Sequence, residues 1–201
     1  MRTHVSARKM LLLLGTAVLA GAVLAAGVVA AHLRAPQSPG ELDAALKGAP
    51  LVKVADIPSA PGLAARGAFA QVGHGLVCLW DAPSATSPAR QGGCNHADDP
   101  LGGHLVNASL AYDGGPAARA VRDARIIGLV APSVAAVEVA MTDGTVRHMA
   151  LGTATVAGAQ YRAFGYRFRA TDFRRGVGPK AVVALDTGGK EIDRQPTGFG
   201  S

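Results

Sequence analysis

The sequence predicts a mainly β protein in which a single N-terminal transmembrane helix precedes an antiparallel β-sandwich. Three observations carry this reading. From Leu76 onward the apolar residues fall in short or alternating runs separated by turn residues, the pattern of antiparallel strands. Asp143-Gly144 stands between two alternating runs and supplies the positive φ values of a hairpin turn. Finally, no residue from Met10 to Ala31 carries a formal charge, and Arg2, Arg8 and Lys9 lie directly before them.

At about 1.5 Å per helical residue, an apolar run of that length reaches roughly 33 Å, enough to cross a hydrocarbon core of about 30 Å with some tilt. Cations beside a hydrophobic segment are retained on the cytoplasmic side. Residues 1–9 are therefore expected to form a cytoplasmic tail and residues 10–32 a signal anchor, leaving the remainder extracytoplasmic. Val28-Val29-Ala30 and Ala20-Gly21-Ala22 offer small residues for cleavage, which would make the product secreted. The run exceeds the roughly 7 to 15 residues of an ordinary signal-peptide core, which favours retention. It does not end on a cysteine, against a lipid-anchored product.

The chain of 201 residues has a net charge of +6, but without Arg2, Arg8 and Lys9 it holds 17 Lys and Arg against 14 Asp and Glu. So small a surplus is weak grounds for a polyanionic partner, and export removes access to nucleic acid. Cys78 and Cys94 are the only cysteines. In an oxidising compartment they pair, closing a loop of about 15 residues worth roughly 3 kcal/mol in the chain-entropy model.

Residues 33–70 read as a spacer, because Pro36, Pro39, Pro50, Pro58 and Pro61 interrupt any long element. One short helix near 41–47 fits inside it, with Glu41 and Asp43 early, Lys47 late and Gly48 as a stop. The β domain is expected over 71–199, with strands near 76–80, 104–112, 124–131, 134–142, 145–151, 161–169, 180–186 and 190–194. The segment from Ala117 to Arg125 has helix-favouring Ala and Arg as an alternative.

For the Asp143-Gly144 hairpin, a two-residue turn pairs Thr142 with Thr145, Met141 with Val146, Val139 with His148 and Val137 with Ala150. That register turns His148 toward the core and leaves Glu138 diagonal to Arg147 on the other face. In Phe164-Gly165-Tyr166-Arg167-Phe168-Arg169 the aromatics point to one side and the arginines to the other. Ala181 to Leu185, the turn at Asp186-Thr187-Gly188-Gly189 and Glu191-Ile192 form a closing hairpin.

The most chemically crowded segment is Cys94-Asn95-His96-Ala97-Asp98-Asp99-Pro100, followed by His104. His96, Asp98 and His104 with the distant His74 are weak candidates for a zinc site, without a recognised ligand spacing. A calcium loop would need more oxygens in a different pattern. Asp98 and Asp99 are neighbours and face opposite ways in extended backbone, which disfavours a paired acid and base. The sequence has no Gly-x-Ser-x-Gly, His-Glu-x-x-His or phosphate-loop motif. Asn107-Ala108-Ser109 matches a glycosylation sequon inside an expected strand.

Gly75-Leu76-Val77-Cys78-Leu79-Trp80, Gly92-Gly93-Cys94, Ile127 to Val134 and Ala184-Leu185-Asp186 resemble exported actinobacterial proteins of unknown function. The resemblance covers about residues 75 to 195 and implies an immunoglobulin-like or related β-sandwich, with no catalytic residues to carry over. The functional expectation is a membrane-anchored extracytoplasmic β domain, a non-catalytic binding or envelope-associated module without a cofactor. Its partners would be the membrane and an envelope protein or cell-wall polymer. The alternative is an exported hydrolase or metal-dependent enzyme using His96, Asp98, Asp99 and His104.

Overall fold

Strands dominate the protein because its apolar residues alternate along short runs and bury whichever face they occupy. The computed structural model describes residues 42, 44–113 and 121–198. Twelve strands are described: β1 (Leu51–Ile57), β2 (Arg66–Gly73), β3 (Leu76–Ala82), β4 (Gln91–His96), β5 (Val106–Asp113), β6 (Asp123–Val130), β7 (Ala136–Met141), β8 (Val146–Met149), β9 (Gly152–Val156), β10 (Ala159–Arg167), β11 (Pro179–Leu185) and β12 (Glu191–Pro196). A 3-10 helix, Ala170–Gly176, links β10 to β11. The expected span and Arg2, Arg8 and Lys9 lie outside the described residues, among which no helix is long and apolar enough to cross a membrane.

The strands form three antiparallel sheets, in the orders β1-β2-β3-β4, β5-β6-β10-β9 and β12-β11-β7-β8. The central sheet is covered on both faces. Ile127 and Leu129 of β6, Ala163 of β10 and Ala154 and Val156 of β9 pack on Ile57, Ala68, Ala70, Val77 and Leu79 of the first sheet. The alternate residues Ala124, Ile126, Val130 and Phe164 pack on Val137, Val139, Met141, Met149, Val182 and Ala184 of the third. Every residue of β6 is buried as a result. A strand buried on one face alternates with polar residues, whereas one buried on both reads as a continuous apolar run, and Ile126-Ile127-Gly128-Leu129-Val130 is such a run.

All eight expected strands are present, and four others were not anticipated. β1 and most of β2 occupy residues that the sequence assigns to the spacer, so the β structure begins before residue 71. Pro50 and Pro58 bracket β1 rather than interrupt it. β2 is masked by Gly67, Ala68 and Ala70, poor strand formers that are nevertheless buried against the central sheet. β4 contains Gly92 and Gly93, and β9 is short. In the expected helix, Leu42, Ala44 and Ala45 are helical and Gly48 has φ +80°. Buried Gln71 ties this segment down by donating to the carbonyls of Leu46 and Ala49. The alternative helix at 117–125 is corrected over Asp123 to Arg125, which belong to β6; residues 114–120 lie outside the described residues.

The β7–β8 register is also corrected, by one residue. Val137 faces Met149, Glu138 faces His148 and Val139 faces Arg147, because the loop contains three residues rather than two. Gly144 (φ +83°) donates to the Met141 carbonyl, and the amide of Met141 donates to the Thr145 carbonyl. Asp143 accepts from the Thr145 amide and hydroxyl, favouring the type I turn and left-handed Gly of a three-residue loop. The slip exchanges the faces of β8. Met149 is buried, and His148 is an exposed surface partner of Glu138 at 3.1 Å rather than a core histidine.

Two glycines set the spacing of the central sheet. A Cβ on Gly128 would lie 2.1 Å from the fully buried Phe164 ring, while one on Gly165 would lie 2.6 Å from the Asp56 carbonyl of β1. Gly128→Ala should therefore lower stability by about 1–3 kcal/mol through overpacking. Gly93→Ala, with open space at the Cβ position, should change it far less. Thermal unfolding by circular dichroism checks this, and equal melting of the two variants would contradict the tight seating of Phe164.

Candidate functional site

Among the described residues, the buried charges other than Asp172 gather where β2, β3, β5, β6 and β10 meet. Asp81, fully buried on β3, accepts from Arg66 Nε at 2.6 Å through one oxygen and from Arg125 Nε at 2.6 Å through the other. Arg125, 1% exposed, also pairs with Asp123 and with Asp113, the latter at 3.3 Å. Arg167 Nε sits 3.0 Å from Asp123 Oδ1, an ionic contact whose direction falls short of a hydrogen bond. Three arginines thus meet three aspartates, and the cluster is neutral. Burial works against the Arg125 charge, but the hydrogen bonds it donates to Asp81 and Asp113 and the attraction of Asp81 and Asp123 outweigh it, holding the guanidinium more firmly protonated than usual.

Arg167 also organises the adjoining loop. Its Nη1 donates to the Pro58 carbonyl at 2.5 Å and its Nη2 to the Ala64 carbonyl at 2.8 Å, fastening both ends of the β1–β2 connection to β10. Within that loop Ala60 and Leu63 exchange backbone hydrogen bonds around Pro61 and Gly62, the latter at φ +74°. Proline followed by glycine fits a tight turn that needs φ near −60° and then a positive φ.

Between this loop and the end of β10 lies a cleft of about 580 Å³, lined by Pro58, Ser59, Ala60, Pro61, Leu63, Arg122, Arg167, Phe168, Arg169 and Ala170. Its volume is that of a small-molecule site, and its walls are mostly apolar. All three ionisable lining residues are arginines. Arg122 and Arg169 are exposed, and neither side chain has an ion-pair partner among the described residues. Asp172, the acid nearest Arg169 along the chain, is held by Arg147 at 2.6 Å and by the backbone amide of Arg169.

The residues singled out by sequence are placed elsewhere. Cys78 and Cys94 form the expected disulfide, directly opposite each other on β3 and β4. His74 is a turn residue at φ +45° between β2 and β3, His96 ends β4, and Asp98 and Asp99 are exposed on the following turn. His104 instead meets Asp193 of β12 at 3.2 Å. No group of three or more His, Cys, Asp or Glu converges to hold a metal among the described residues. The Arg167/Arg169 alternation was legible, but the side expected to carry only arginines is covered by the first sheet, so Arg167 is buried and only Arg169 is exposed. The side chains of Arg174 and Arg175 lie outside the described ones. No family model, curated protein or solved structure matches this chain in the comparisons made.

Removing one member of the buried cluster strands the others. Arg125→Met should therefore lower stability by about 3–5 kcal/mol, whereas Asp113→Asn, at a half-exposed carboxylate, should cost less than about 1 kcal/mol. Urea unfolding separates these outcomes, and similar losses would contradict a cluster centred on Arg125.

Asp193 provides a second test. Burial pushes its pKa up, but hydrogen bonds from the Leu105 amide at 2.6 Å and from His104 overcome this and hold it below its ordinary 3.8. A depressed carboxylate contributes stability that is present above its unfolded pKa and lost as pH falls through the folded one. Asp193→Asn should accordingly flatten the decline in melting temperature below about pH 4; an unchanged acid limb would place that decline elsewhere.

Proposed function

We propose that the chain is a membrane-anchored, extracytoplasmic β domain that acts as a non-catalytic binding module for a component of the cell envelope. The cleft carries the binding reading: it has the volume and apolar lining of a ligand site, and its loop wall is fastened at both ends by Arg167. A wall held in this way keeps its shape before a ligand arrives, so less ordering entropy opposes binding.

The compartment is supported by two independent features. The uncharged segment from Met10 to Ala31 follows three cations, as in an anchor whose N-terminus stays inside. The Cys78–Cys94 bond belongs to an oxidising environment and cross-links two strands of the first sheet. The buried carboxylates support a structural assignment for the charged groups, since Asp81, Asp123 and Asp172 are each bonded to arginine.

Membrane fractionation combined with thiol alkylation of the native protein tests this reading. The expected result is a full-length species retained in the membrane, with both cysteines alkylated only after reduction. A soluble species beginning near Ala31 would replace the anchored reading with a secreted one. Thiols that react without reductant would remove the oxidising compartment from the argument.

A further inference from the structure

We infer that the cleft between the β1–β2 loop and the end of β10 binds a small anion carried on an apolar body, with Arg122 and Arg169 receiving a phosphate or carboxylate. The inference rests on the binding-module reading and names the ligand class for that cleft.

The charge balance around the cleft points to this class. Arg66, Arg125 and Arg167 are matched by Asp81, Asp113 and Asp123, and Arg147 is matched by Asp172. Arg122 and Arg169 remain as two positive charges on the lining without an acidic group among its residues. Guanidinium groups present planar forks of donors that suit phosphate and carboxylate oxygens. Two such groups on one cleft raise its affinity for an anion above that of either alone. Arg167 adds to the local field but has its Nε and both terminal nitrogens engaged by Asp123, Pro58 and Ala64, so it serves as a wall rather than a receptor.

The remaining lining selects what the anion is attached to. Pro58, Ala60, Pro61, Leu63 and Ala170 supply hydrocarbon. A bare anion would leave that surface wet, whereas an attached apolar group covers it and adds a hydrophobic contribution to binding. Phenyl phosphate is a suitable probe, with inorganic phosphate as the head alone and benzyl alcohol as an uncharged body.

The experiment is calorimetric titration of the full chain in phosphatidylcholine nanodiscs, with empty nanodiscs as blank. Phenyl phosphate should bind at least tenfold more tightly than either inorganic phosphate or benzyl alcohol. The double variant Arg122→Gln/Arg169→Gln should lose at least tenfold in affinity at unchanged melting temperature. Lys180→Gln/Lys190→Gln removes the same net charge from exposed residues of β11 and its turn, away from the cleft lining, and should bind within twofold of wild type. Equal affinity for inorganic phosphate, equal loss in the lysine variant, or no binding of phenyl phosphate would each overturn the inference. Those results would leave an anchored, oxidised domain in place, whereas a soluble or reduced protein would count against the underlying reading instead.

Discussion

A buried guanidinium has to find carboxylates within its own reach, and Arg125 finds them on three strands in two sheets. Along the central sheet the alignment looks unfavourable at first. Asp113 of β5 lies directly opposite Asp123 of β6, and Arg125 of β6 lies directly opposite Arg167 of β10. Like charges facing each other across a ladder are destabilising. The structure resolves both conflicts diagonally, with Arg125 bonding both aspartates and Asp123 contacting both arginines. Asp81 then arrives from the first sheet and takes the Arg125 Nε donor. A one-residue slip of β6 would turn Arg125 toward the apolar cluster around Phe164 and place Ile126 among carboxylates. Register and layer order are thus coupled through the same charge.

The two interfaces of the central sheet differ because of what each has to contain. Against the first sheet the contacts are thinner, with Ala68, Ala70, Ala154 and Ala163 interspersed among Ile57, Val77, Leu79, Ile127, Leu129 and Val156, and Gly165 allows β1 to approach closely. Against the third sheet they are thick, with Phe164, Phe168, Met141 and Met149 filling the space. Phe168 also meets Tyr166 and Phe173 edge to face, so this aromatic packing continues into the 3-10 helix. The charged cluster occupies one end of the thin interface. There Arg125 and Arg167 extend toward acceptors that small side chains leave accessible, and Pro58 and Ala64 belong to the loop that follows β1.

The strands that sequence makes legible are those whose burial produces a pattern. β6 is a continuous apolar run, β7 alternates, and β10 carries alternating aromatics, each a direct consequence of the faces it covers. β2, β4 and β9 were hidden because small residues and glycines in them carry no period, and β1, which packs Val54 and Ile57 inward, because the prolines around it read as a spacer. The turns were hidden for a related reason. His74-Gly75 and Ala157-Gly158 both take positive φ at their two central residues, the conformation of a two-residue hairpin, yet His and Ala are not the Asn or Asp that signal such a turn. The same gap explains the candidate site. Cys78–Cys94 was readable because only two cysteines exist, whereas the cleft joins residues 58–63 to 167–170 across a β1–β10 contact whose strand was assigned to a spacer. Histidine and aspartate drew attention in sequence as chemically versatile types, but His104 and Asp193 connect β5 to β12.

The cleft follows from the way the charge cluster ends. Alternating arginines and aspartates form a neutral series from Arg66 to Arg167, and a neutral series exerts little attraction on a third party. Its effect on the surface is mechanical: the terminal arginine uses its outer donors on backbone carbonyls, and that fastens the Pro58–Ala64 loop to the end of β10 as a standing wall. Two residues farther along, Arg169 gives its backbone amide to Asp172, and Arg147 takes the same carboxylate, so the acid closest to Arg169 is occupied. Arg122 lies immediately before Asp123, whose oxygens already serve Arg125 and Arg167. Satisfying the interior therefore commits Asp123 and Asp172 to buried arginine contacts, and the positive charge left at the rim is a consequence of how the core is neutralised.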